Sequence, residues 1–390
     1  MTPVRSQGPL KGMRLHASLP SLSKIKQIDG LQIMRAIAVI LVAWGHAGLE
    51  FGHRLPDFGI FGIDLFFVIS GFIMASIVLH SRERAGWPAA RDFMARRLIR
   101  IYPIYWIYAV ISGVRIWHNG YLFRYNFWYS VLLLPMPHHW RIVDFSWTMM
   151  FEIIFYCVLG SLLLFTVRRA VPLLILLLTL MVCLSGVVDI GQEKWAVVAN
   201  PILLEFIFGA VIAVLFFRHQ RLRAIGILLL CCGTAYALYV RMHPRAGAVG
   251  MVEILYGNTH DVLVRSLTWG VAAALIIGGV VFWSPVVRSR VGKVAVVIGN
   301  ASYSIYLGSS LVMEFGARAI QRLHRVDASS PLGWVAMYQT ALVLMVVVTG
   351  WISYQFVEWP LVRRLQARYA ERQKRGIAAG KSLQSLRTEP

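Results

Sequence analysis

Apolar residues in this chain do not alternate with polar ones. They run together in stretches separated by short, mostly basic connections. At ~1.5 Å of rise per residue, a helical run of about 20 residues crosses the ~30 Å hydrocarbon core of a bilayer. Ten stretches have that character, at about 30–49, 60–80, 100–117, 146–166, 171–190, 200–217, 225–240, 264–283, 300–320 and 334–357. The pattern predicts an all-α integral membrane protein with about ten transmembrane helices in one bundle. Gly, Ala and Ser recur in the eighth and ninth stretches, which suits close helix packing in lipid. No internal repeat is visible and no connection is long enough to fold by itself. The expected organisation is therefore a basic lead-in at 1–28, a membrane domain at 29–362 and a basic tail at 363–390. The lead-in lacks an uninterrupted apolar run, so no cleaved signal peptide is expected. The tail, without apolar periodicity, is expected to be a short helical stub followed by disorder.

Charge orients this bundle. The formal net charge is +21, but the Lys and Arg residues sit in the connections. If the N-terminus is cytoplasmic, 27 of them fall on the cytoplasmic side and 11 on the other, with Arg35 inside the first span. That bias follows the positive-inside rule and predicts N-in, C-in and an even number of spans. It accounts for the charge without nucleic acid, and a multi-pass protein of the cytoplasmic (inner) membrane is expected, with the lipid bilayer as partner. Nothing in the sequence sets an oligomeric state. The four cysteines, Cys157, Cys183, Cys231 and Cys232, lie inside apolar runs and read as small core residues.

Against this apolar background the ionisable residues stand out. A charged group at membrane depth is costly, and by default it marks a functional site. Arg35 and His46 are eleven positions apart, three helical turns, so they share one face of the first helix about 16 Å apart along its axis. Asp64 lies in the second helix and Glu152 near the start of the fourth. Glu205, in the sixth, reads equally as a packed acid or a cavity wall. Arg96, Arg97 and Arg100 crowd the cytoplasmic start of the third span. They serve either as topology anchors or, for Arg97 and Arg100 on one helix face, as a phosphate clamp. The connection at 118–145 is rich in aromatics and histidine (His118, His138, His139) and reads as an external substrate surface. Adjacent histidines point apart and no carboxylate motif accompanies them, so no metal is expected.

The segments LQIMRAIAVILVAWGHA, GIDLFFVISGF, FMARRLIRIYPIYW, SWTMMFEIIFY, GNASYSIYL and LVRRL after an E-x-P together resemble the acyltransferase family 3 membrane proteins, in the family's order from about residue 29 to 365. The first two look most like members that acetylate exopolysaccharides. The resemblance implies a ten-helix transferase moving an acyl group, usually acetyl, from cytoplasmic acyl-CoA to a hydroxyl of an extracytoplasmic glycan. Carried onto matching positions, the family's first-helix Arg and His are Arg35 and His46, its arginine pair is Arg97 and Arg100, and its fourth-helix acid is Glu152. Two positions depart: many members have His where this chain has Ser309, and their E-K-P is Glu358-Trp359-Pro360.

The residues agree with that chemistry. A cationic inner mouth at Arg97 and Arg100 suits the phosphates of acyl-CoA, probing past Arg35 into the bundle, with acetyl-CoA the first donor expected. A hydroxyl is a poor nucleophile and needs a base poised near neutral pH, which points to His46. In an antiparallel hairpin, Asp64 falls at the depth of His46, and Glu152 enters from the same side to that level, so the expected catalytic set is His46 as base, Asp64 as its orienter and Glu152 on the acceptor or as a second orienter. Asp64 reads alternatively as a helix cap. A backbone amide near Ser70-Gly71 is the candidate for oxyanion support. The competing reading is a transporter or flippase for a glycan or lipid, which would call for inverted repeats and paired broken helices; neither is seen.

Overall fold

The computed structural model describes residues 28–387 apart from 53–54, 57, 82, 121–126, 136–140, 188–196, 220–221, 244–253, 255–258 and 325–328. The lead-in and the His138–His139 pair lie outside the described residues. In chain order the helices are α1 (Asp29–Leu49), α2 (Gly59–Leu79), α3 (Trp87–His118), α4 (Phe127–Leu132), α5 (Trp147–Phe165), α6 (Ala170–Val187) and α7 (Leu203–His219). They continue with α8 (Arg223–Met242), α9 (Thr259–Arg265), α10 (Val271–Trp283), α11 (Arg290–His324), α12 (Leu332–Ser353) and α13 (Trp359–Arg387). No strand occurs among the described residues. A 3-10 turn, Asp144–Ser146, leads into α5. Single π-turns, Ser266–Gly270 and Tyr354–Glu358, carry α9 into α10 and α12 into α13.

Each of the ten apolar stretches coincides with a helix. Seven segments are both long and apolar enough to cross a membrane: α1, α2, α5 with its 3-10 turn, α8, α9 with α10, α11, and α12 with α13. The other three fall short of that standard for different reasons: α3 is long enough but, rich in Tyr and Trp, less apolar, α6 is apolar over a shorter length, and α7 has 17 residues. The tail differs from its expectation. α13 runs as one helix from Trp359 to Arg387, and Gln373 Nε2 donates to Asp92 Oδ1 of α3 at 2.8 Å.

Backbone contact between helices decides which side chains meet. A Cβ added at Gly71 of α2 would collide with the Phe206 carbonyl of α7, and one added at Gly209 of α7 would collide with the Val68 carbonyl of α2. Only glycine permits the two backbones to touch, and lipid supplies no hydrophobic drive that would replace such packing. The same device brings Gly299 of α11 onto the Gln32 carbonyl of α1. Gly299 faces Gln32 and Ser302 faces Arg35, so α1 and α11 run parallel.

The connection expected on the external surface turns back into the bundle. Tyr102, Tyr105 and Trp106 of α3 donate to the carbonyls of Leu132, Ser130 and Val131 at 2.7, 2.5 and 3.0 Å. These aromatic groups satisfy carbonyls at the end of α4, where so short a helix leaves few intrahelical partners; the Ser130 carbonyl also accepts from Leu133 N at 3.3 Å. α4 therefore lies beside residues 102–106, about 20 Å back along α3 from His118. The cysteines also differ from expectation. All four are free and exposed on helix faces, not in the core.

Candidate active site

α1, α2, α3, α5 and α11 enclose a cavity of about 830 Å³, open space at its mouth included. Its lining holds five of the seven residues expected from sequence to take part in catalysis or binding: Arg35, Ser70, Arg97, Arg100 and Glu152. Apolar side chains, among them Ile63, Phe66, Phe67, Ile73 and Met149, supply much of the rest. The arrangement is a largely apolar chamber with convergent charged groups.

The polar groups have defined partners. Arg35 reaches across to α11, where its Nε and Nη2 donate to Ser302 Oγ at 3.2 and 2.9 Å. Ser70 Oγ donates to Glu152 Oε1 at 2.8 Å, and the Tyr156 hydroxyl donates to Glu152 Oε2 at 3.3 Å, one turn along α5. Arg97 and Arg100 are half-buried rather than at the surface, and Arg97 Nε is buried with no partner among the described residues. Its guanidinium lies over the Phe93 ring at 5.9 Å. Arg96, the third of the cluster, is exposed and engaged by Asp92 at 2.8 Å. The structure thus separates one anchoring arginine from two that face the cavity.

Asp64 requires a correction. It does not line the cavity. Its carboxylate meets Arg265 Nη1 at 2.6 Å and Nη2 at 2.9 Å, and Glu205 Oε1 meets the same Nη1 at 3.3 Å. All three side chains are 0% exposed. Asp64 is committed to an ion triad joining α2, α7 and α9 at the edge of the Ser266–Gly270 π-turn, neither orienting His46 nor capping its helix. Glu205 is resolved as the packed acid. The expected common depth of the three catalytic groups also fails. Glu152 is level with Ser70, six residues and about 9 Å beyond Asp64 along α2.

His46 is also outside the cavity lining. Its ring stacks on Phe145 with centroids 3.8 Å apart. The Phe145 carbonyl accepts from the Tyr306 hydroxyl at 2.7 Å, that hydroxyl pairs with Thr148 Oγ1 at 2.9 Å, and Tyr306 and Thr148 line the cavity. Phe145 and Tyr306 thus stand between the histidine and the chamber. An ion network holds this turn from outside. Arg115 pairs with Glu314 and approaches Asp144 at 3.9 Å, and Arg318 pairs with Glu314 at 2.6 Å. Beside it, burial pushes the Glu50 carboxyl above the usual carboxylate range, opposed by the charge of Arg318.

The departures noted in the sequence also find places. Ser309, where relatives have His, is buried and donates to the Tyr306 carbonyl at 2.6 Å, inside its own helix. Glu358 accepts from Ser304 Oγ at 2.6 Å, two residues beyond Ser302 on α11. Sequence reasoning missed Arg265 by counting it with the charges of the connections, although it is the second residue of the eighth apolar stretch, at 264–283; that position was the available signal. It also missed Tyr156, Tyr306 and Ser302 as partners. No group of three His, Cys, Asp or Glu side chains arranged to hold a metal occurs among the described residues.

A membrane helix bundle around an apolar chamber, with arginines at one end and a hydrogen-bonded Ser–Glu pair within, is suited to transferring a group from an anionic carrier. Comparison with known proteins places it further. The acyltransferase domain shared by the acyltransferase family 3 proteins matches residues 28–354, and the chain belongs to that family. It is an acyltransferase and a multi-pass membrane protein. The exopolysaccharide production protein ExoZ of Rhizobium meliloti (strain 1021) is 28% identical over 333 residues, covering 83% of this chain and 95% of that protein. A Staphylococcus aureus (strain COL) protein assigned provisionally as an O-acetyltransferase is 24% identical over 384 residues, 86% of this chain and 58% of its own length. A Bacillus subtilis (strain 168) protein assigned provisionally as a peptidoglycan O-acetyltransferase is 33% identical over 92 residues, 24% of this chain and 14% of its own. No solved structure matches the chain.

Proposed function

We propose that this acyltransferase moves an acetyl group from cytoplasmic acetyl-CoA to a hydroxyl of an extracytoplasmic exopolysaccharide or its lipid-linked precursor. In this reading ten helices cross the cytoplasmic membrane with both termini inside. Arg97 and Arg100 take the phosphates of the donor, and the partnerless Nε of Arg97 offers a donor hydrogen bond for them. Guanidinium forks suit phosphate oxygens better than ammonium groups do. The pantetheine arm lies along the apolar wall, bringing the thioester to Arg35, Ser70 and Glu152. His46 draws the proton from the acceptor hydroxyl, and Phe145 and Tyr306 move aside to join the two compartments. Positioned base catalysis of this kind typically contributes ~10²–10⁴-fold. Asp64 has no part in the chemistry.

The observation that carries the reading is the cavity itself, which gathers three arginines and the Ser70–Glu152 pair from four helices of a chain in an acyltransferase family. The likeness to a protein named for exopolysaccharide production supports the acceptor class. The test is mass spectrometry of surface glycans from a strain lacking the gene. Loss of an acetyl mass, restored by the wild-type chain and not by His46→Ala, is expected. Unchanged acylation of every surface glycan would overturn the reading.

A further inference from the structure

The acyl group has a long way to go if His46 alone does the work, because Phe145 and Tyr306 separate that ring from the cavity. The cavity holds a nucleophile of its own. Ser70 Oγ sits 2.8 Å from Glu152 Oε1, within the ~2.6–3.2 Å reach expected of a nucleophile and its base. The Tyr156 hydroxyl bonds the other carboxylate oxygen at 3.3 Å, as the third group that orients a base. Backbone packing fixes the serine: Gly71 next to it lies against the Phe206 carbonyl, so α2 cannot turn or slide at this point. Arg35 shares the chamber and spends two N–H groups on Ser302, leaving the rest of its guanidinium for developing negative charge.

We propose that Ser70 is a covalent nucleophile that carries the acyl group between donor and acceptor, with Glu152 as its base and Tyr156 as a positioning residue. This rests on the acyl-CoA reading above. As the Ser70 oxygen bonds to the thioester carbonyl carbon, its proton passes to Glu152. The tetrahedral intermediate collapses, the C–S bond breaks, and Glu152 returns the proton to the departing sulfur. The products of this half-reaction are Ser70 ester, CoA thiol and ionised Glu152. With Phe145 and Tyr306 moved aside, the acceptor hydroxyl, deprotonated by His46, then attacks the ester carbonyl. The bond to Ser70 breaks, its oxygen takes a proton from solvent, and His46 releases to solvent the one it took. An ester parked on α2 frees the site of the bulky donor before the acceptor enters, which suits one chamber serving substrates from opposite sides of a membrane.

The experiment uses the purified full chain in detergent with radiolabelled acetyl-CoA, with and without glycan extracted from the deletion strain. Without glycan, the expected result is a burst of one CoA thiol per protein and one acetyl group on the peptide containing Ser70. Ser70→Ala should give neither while keeping the wild-type melting temperature. Ser70→Cys should trap a label that neutral hydroxylamine removes. Glu152→Gln should slow the burst by about 10²–10⁴-fold. If the complete system turns over but the protein alone gives no burst and no acetyl peptide, or if the label lies on another residue, the Ser70 route is overturned and the acyltransfer reading stands. If the complete system transfers no label from acetyl-CoA at all, both are overturned.

Discussion

Replacing Arg265 with Met removes the cation that, among the described residues, pairs with two fully buried carboxylates. Asp64 and Glu205 both contact the same nitrogen, Nη1, at 2.6 and 3.3 Å, so without the guanidinium two acids face each other at 0% exposure. Breaking a buried ion pair by removing one partner costs about 3–5 kcal/mol. At roughly 2 °C per kcal/mol for a chain of this size, the melting temperature should fall by about 6–10 °C. Asp64→Asn is a milder change, because Glu205 still balances Arg265 and the amide keeps the shape; a loss of about 1–3 kcal/mol is expected. Replacing the triad as a whole with apolar residues of similar volume should recover most of the loss. The assay is tryptophan fluorescence on heating in detergent, alongside acetyl transfer at a temperature where each variant is folded. The reasoning predicts a lowered melting point with near-normal transfer for Asp64→Asn. A wild-type melting point with lost transfer would refute it and return Asp64 to the catalytic set.

Other expectations follow from the cavity and its walls. Changing Arg97 and Arg100 together to Ala should raise KM for acyl-CoA with little change in KM for the glycan, and Lys at both positions should restore only part of the loss; unchanged donor KM would return them to topology anchors. Gly71→Ala drives a methyl group into the Phe206 carbonyl and should cost about 1–3 kcal/mol as well as transfer, since Ser70 moves with the backbone; a fully stable, active variant would count against that contact. Tyr306→Phe removes the hydroxyl that holds Phe145 and Thr148 and should alter acceptor KM more than donor KM, measured by steady-state kinetics. A cysteine at exposed Asn119 should react with an impermeant reagent from outside the cell, and one at exposed Ala85 should not; the reverse would invert the bundle.

The helices, and the ionisable residues set within them, could be read because lipid makes exceptions conspicuous. Arg35, Glu152 and Asp64 each interrupt an apolar run, and helical spacing alone put Arg97 and Arg100 on one face. What could not be read was pairing between distant parts of the chain. Asp64 and its partner Arg265 are separated by 201 positions, Ser70 and Glu152 by 82, and Arg35 and Ser302 by 267. Hairpin depth placed Asp64 beside His46. The side chain instead points to α9, whose arginine looked like an ordinary loop charge because it stands at the very edge of its apolar stretch, the second residue of 264–283. The return of α4 along α3 was hidden for a related reason: its cause is three aromatic hydroxyl and indole groups on another helix, not its own composition. The cysteines looked like core residues because, in a bilayer, apolar surroundings do not distinguish a buried face from one turned to lipid.

The most direct test is a sided transfer measurement in proteoliposomes whose orientation is established from the tail. Radiolabelled acetyl-CoA is supplied on the face carrying Arg97 and the tail, and deacylated glycan on the other. The account predicts label in the glycan only when donor and acceptor are on these opposite faces, and its loss in Glu152→Gln at an unchanged melting temperature. Transfer only with both substrates on one face, or undiminished transfer by Glu152→Gln, would contradict it.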